Sequence, residues 1–142
     1  MADVAVVRKR VKTAIEQARR DQAERRGRVA DATKAYDAFL EGAAIPVFKM
    51  FANILKSEGL HFEVMTPAGG VRLQSERQRD DSIEMELDTT ADPPQPLVTV
   101  TRVRGSRIVQ SDRSIKGSHP LVQLTEDDVI EMLLEELRPW LN

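Results

Sequence analysis

Four arginines gather around one dipeptide late in this chain. Arg102 and Arg104 precede Gly105-Ser106, and Arg107 and Arg113 follow it. A guanidinium presents a planar fork of donors that matches phosphate or carboxylate oxygens. If both flanking segments alternate as strands, a two-residue turn pairs Arg104 with Arg107 and Arg102 with Val109. With Val98 and Val100 facing inward, all four arginines and Ser111 then share one side of the sheet. Cations there cannot be buried bare, so they must meet acids, reach solvent or hold an anion. The acidic segment beginning at Glu126 supplies such acids, and pairing with it is the expected arrangement. If the chain does bind an anion, Arg102, Arg104, Arg107 and Arg113 are the candidate residues.

Other residue types offer little chemistry. There is no cysteine, which excludes disulfides, thiolate metal sites and cysteine nucleophiles. His61 alternates outward and His119 precedes Pro120 in a loop, and neither has partners at metal-ligand spacing. Ala68-Gly69-Gly70 is glycine-rich, but it joins two strands and lacks the helix start that a phosphate loop needs. No serine sits in a nucleophile elbow. The acid pairs Asp80-Asp81 and Asp127-Asp128 occupy a turn and a helix start, where carboxylates belong for ordinary reasons. No catalytic set emerges, so a non-enzymatic protein without metal or cofactor is expected.

The elements that position these residues begin with an unusual one. From Asp3 to about Gly42 there is no proline, and Gly27 is the one interior glycine. Val4, Val7, Val11 and Ile15 form a stripe, and Val29, Ala32, Tyr36, Phe39 and Ala43 resume it. Between them, residues 19–28 offer almost nothing to bury. A helix of that length spans ~60 Å. The remaining hundred or so residues form a body with a radius of gyration of ~13 Å. The helix either runs straight or folds back at Gly27. A straight helix is expected, because a turn usually carries more breakers than one glycine. Two units follow: residues 1–42, a partly projecting helix, and residues 43–142, a globular domain.

Pro46 suits the first turn of a second helix ending near Ser57. That helix is apolar nearly all round and should be the most buried element. From Leu60 the period changes to two. Strands are expected over 60–65, 71–74, 83–87, 97–104 and 107–115, an antiparallel meander with one covered face. Matching apolar faces sets Leu73 opposite Phe62 and Met85, with Arg72 between Glu63 and Glu86. Thr125 and Asp128 then open a last helix with a capping-box pattern. Its stripe is Val129, Ile130, Leu133, Leu134 and Leu137. The fold class is α+β, with a long N-terminal helix, a buried second helix, a five-stranded antiparallel sheet and a C-terminal helix packed on that sheet.

Charge is unevenly placed. Residues 1–42 carry ten basic and seven acidic side chains (+3), residues 43–116 carry ten of each (0), and residues 117–142 carry one and six (−5). The two ends should attract one another, within or between chains. The interleaved acids of the first helix argue against a nucleic-acid arm. The start, MADVAVVRKR, places its apolar run before its basic cluster, the reverse of a signal peptide. No run approaches the ~20 apolar residues of a membrane span. A cytoplasmic, bacterial-type protein with no membrane partner is expected. The functional expectation is an interaction module that forms a homo-oligomer through Val4, Val7, Val11 and Ile15. The alternative is a module binding an anionic ligand or nucleic acid through the hairpin arginines.

Overall fold

A computed structural model describes residues 3–115 and 121–141. His119 and Pro120 lie outside the described residues. The chain begins with one straight rod, α1 (Val4–Phe39), capped by the Asp3 carboxylate, which accepts from the Ala5 N–H at 2.9 Å. Gly27 does not interrupt it. The expected break before Pro46 is not a break either. Leu40–Ala44 widen into π-helical turns, in which the Ile45 N–H donates to the Leu40 carbonyl, and α2 (Ile45–Ser57) continues the same axis. Proline inside an α-helix lacks an N–H and collides with the carbonyl four residues back. Widening the preceding turn relieves both conflicts. The result is a single 54-residue helix, Val4–Ser57, about 80 Å long.

Five antiparallel strands follow in sequential order: β1 (Phe62–Met65), β2 (Gly70–Ser75), β3 (Ser82–Asp88), β4 (Gln95–Arg104) and β5 (Arg107–Ser114). The register differs from the expected one by two residues in both early hairpins. Leu73 lies opposite Val64 and Ile83, and Arg72 lies opposite Met65 and Glu84. Turn geometry decides the first of these. The Gly70 N–H closes a turn onto the Pro67 carbonyl, with Gly69 at φ 74°. Only glycine takes that conformation freely, so the hairpin centres between Ala68 and Gly69. Two-residue shifts keep every side chain on its own face, so the apolar pattern alone could not distinguish them. Accordingly Arg72 pairs with Glu84 at 3.1 Å, not with Glu63 and Glu86.

The helix α3 (Glu126–Leu137) lies with α2 over one face of the sheet. Its capping box forms: the Asp128 carboxylate accepts from the Thr125 N–H at 2.8 Å and from its hydroxyl at 3.2 Å. The core joins Val47, Phe48 and Leu55 of α2 to Leu73, Ile83, Met85 and Val98 of the sheet, and to Val129, Met132, Leu133 and Leu137 of α3. Tyr36 and Leu40 of the rod also enter it, while every residue from 3 to 28 is exposed. The rod therefore projects as far as Arg28 and joins the body from Val29 onward.

Two burial expectations are corrected. The second helix is not covered all round: Met50 and Ile54 are exposed and Phe51 is half-buried. On α3, Leu134 points to solvent and Met132 takes its place in the core. One sheet and one neighbouring helix cover about half the circumference of each cylinder. The surplus apolar residues stay outside.

Candidate functional site

The last hairpin pairs Arg104 with Arg107, Arg102 with Val109 and Val98 with Arg113, as strand alternation requires. Gly105 takes φ 61°, which suits the first central position of a two-residue turn. All four arginines thus share the helix-covered side, but the helices cover only part of it. Arg102 and Arg113 are partly buried, whereas Arg104 and Arg107 are exposed at the tip. Among the described residues the tip pair makes no ion pair.

Arg102 and Arg113 meet the acids of α3. Glu136 falls four residues after Met132, on the inward side of the helix, and turns its carboxylate toward both arginines. It lies 3.3 Å from Arg102 and 3.1 Å from Arg113, and Glu135 lies 2.7 Å from Arg113. The Arg113 fork also donates to the Ser114 and Ile115 carbonyls at 3.1 and 3.2 Å. Little of that guanidinium remains for an outside anion. Arg102 stacks over Trp140 at 5.4 Å, and Trp140 meets Phe62 edge-on at 6.0 Å. The hydrogen bond from Arg113 holds the Glu135 carboxyl below its ordinary value, and the same bond raises the Arg113 pKa. These residues form a latch between β4, β5 and α3.

Asp81 accepts from the Val103 N–H at 2.8 Å, tying the β2–β3 turn to β4. The Tyr36 hydroxyl is buried without a hydrogen-bond partner among the described residues. Its burial, reinforced by nearby Glu86, Asp37 and Glu84, pushes its pKa well up, so it stays neutral. Among the described residues no three His, Asp or Glu side chains gather closely enough to hold a metal ion.

Two apolar surfaces stand out instead. The first is the expected stripe: Val4, Val7, Val11 and Ile15 are between 44 and 71% exposed on the projecting rod. The second was not anticipated. Phe51, Ile54, Leu60, Leu134 and Leu141 wall a groove of about 490 Å³ between α2 and α3, with Leu55 and Leu137 beneath. Ile54, Leu134 and Leu141 are 54, 51 and 46% exposed. The sequence carried one signal for this groove, since a helix apolar on every side has more apolar surface than one body can cover.

The chain matches no protein-family model, no curated protein and no solved structure. Fold and surfaces together define its class, an α+β domain extended by a projecting helical rod. One eighteen-residue stretch of the Val4–Ser57 helix is apolar enough to cross a membrane by length and composition alone. Its apolar residues are interrupted by one or two charges, so it is not an unbroken apolar run. Core helices meet the same criterion, and Leu40, Ala44, Val47, Phe48, Ala52 and Leu55 of this helix are buried against the sheet and α3.

Proposed function

We propose that this chain is a non-enzymatic protein-interaction module that self-associates through its N-terminal rod. One observation carries the reading: Val4, Val7, Val11 and Ile15 form an exposed stripe on a helix that leaves its own body at Arg28. A polar helix would serve as a spacer. A stripe of valines and isoleucine left in water costs ~25 cal/mol per Å² relative to one that another surface covers. The module works in the cytoplasm as a homo-oligomer. The hairpin arginines support it structurally, since two of the four hold α3.

Mass measured by light scattering across micromolar concentrations tests this. The wild-type chain is expected to be a dimer or larger. Val7→Lys/Val11→Lys is expected to be monomeric with an unchanged circular dichroism spectrum. A monomeric wild type, or a variant with undiminished mass, overturns the reading. Titration with polyphosphate at low salt tests the anion alternative, which requires binding that weakens steeply as salt rises.

A further inference from the structure

We propose that the groove between α2 and α3 receives the N-terminal stripe of a second copy of this chain, each arm seating in the other's groove. This rests on the self-association reading and names the surface that the stripe meets. The arm cannot reach the groove of its own chain. Val7 and Ile54 lie on one continuous helix, roughly 70 Å apart along its axis. Another molecule must therefore supply the occupant.

The two surfaces match in chemistry. The arm presents a ridge of Val4, Val7, Val11 and Ile15 at the three- and four-residue spacing of one helix face. The groove presents Phe51, Ile54, Leu134 and Leu141 over a floor of Leu55 and Leu137. Its size falls within the ~300–1,000 Å³ of ordinary binding clefts. Helix-in-groove recognition uses this kind of ridge.

Charges around them are opposite. Residues 4–15 hold four cations, Arg8, Lys9, Arg10 and Lys12, and no acid. Glu58 lines the groove. Asp127 and Glu131 are exposed seven and three residues before Leu134, on its side of α3, with Arg138 the one cation on that flank. The lysines of α2, Lys49 and Lys56, line a separate depression beside β1. The arm therefore approaches a rim of net negative charge, which favours this pairing and disfavours arm against arm.

The rod's length suits a closed pair. Along the helix Val4–Ser57 and its capping residue Glu58, Asp31 lies as many residues from Val4 as from Glu58, and as many from Ile15 as from Val47. A two-fold axis beside Asp31, with the rods antiparallel, sets each residue 4–15 segment alongside the other chain's residues 47–58. Both arms are then used and the assembly closes as a dimer.

The absence of native cysteine makes a direct test simple. Val7→Cys and Ile54→Cys chains are mixed and treated with a short thiol cross-linker. The mixed pair is expected to cross-link more than either variant alone. Leu134→Lys, at an exposed position, is expected to weaken dimerisation roughly tenfold or more with an unchanged thermal midpoint when both chains are dilute enough not to associate. Arg8→Glu should weaken it as well, and Glu131→Lys should restore affinity to the Arg8→Glu chain. A dimer in which Leu134→Lys is silent and Val7→Cys cross-links only to itself overturns the groove assignment while leaving self-association standing. A monomeric wild type overturns both. Wild-type binding to phosphatidylserine vesicles, lost in Leu134→Lys, would give the groove to lipid and overturn the assignment.

Discussion

Asp128 shows how much one carboxylate can organise. It is nearly buried and satisfies the Thr125 N–H, a donor that the start of α3 would otherwise leave unpaired. Asp128→Ala is expected to cost ~0.5–2 kcal/mol, read from urea midpoints. Glu135 acts at the other end of the same helix. The hydrogen bond from Arg113 sets its folded pKa below the ordinary 4.5. A carboxylate with a depressed folded pKa contributes stability above its unfolded pKa and loses it as pH falls through the folded value. Glu135→Gln should therefore be less stable than wild type at neutral pH. The two thermal midpoints should converge as pH falls through the glutamate range. A difference that persists unchanged into acid would show that the Arg113 contact contributes nothing through charge.

At the scale of elements, α2 separates a buried from an uncovered face within one turn. Phe48 is wholly buried, whereas Phe51 is half-exposed at the groove. Phe48→Ala is expected to destabilise by ~3–5 kcal/mol, and Phe51→Ala by a smaller ~1–2 kcal/mol because part of its ring already meets water. Leu133→Ala, at the centre of α3, should cost ~2–5 kcal/mol. Equal losses at Phe48 and Phe51, measured dilute enough that the chain does not associate, would mean that the groove is closed within the single chain. The sheet has its own sensitive point. A Cβ added to Gly70 would stand 2.8 Å from the Met85 carbonyl oxygen. Backbone on a central strand pair cannot move aside freely, so Gly70→Ala should cost ~1–3 kcal/mol.

For the whole molecule, the projecting part of the rod, residues 3–28, is separable in energy from the body. No residue from 3 to 28 is buried, and the Arg28–Asp92 ion pair joining them is half-exposed at 3.4 Å. Exposed pairs of this kind contribute little. A chain lacking residues 1–27 is expected to keep its denaturation midpoint within ~0.5 kcal/mol of full length, measured dilute enough that neither chain associates. It should also lose self-association. A truncated chain that unfolds would show that the rod supports the body and is not an arm.

Secondary structure was legible in the residues because it follows from local pattern. Alternation placed five strands, helical spacing placed the rod, and Thr125-Glu126-Asp127-Asp128 marked the start of α3. Alternation likewise set Arg102 and Arg113 on the covered side, within reach of Glu135 and Glu136. The register of the first hairpin was not legible, because a two-residue slip keeps Leu73 inward and Arg72 outward; the turn at Ala68-Gly69 decided it. The passage through Pro46 was equally hidden, since a proline opening a separate helix and a proline behind widened π-helical turns leave the same mark in the sequence. The groove emerged only in three dimensions. Ile54, Leu134 and Leu141 look like core residues in the sequence, because apolarity records what water disfavours. How many sides of a helix find a neighbour depends on where the sheet and α3 end, and that is a property of the assembled fold.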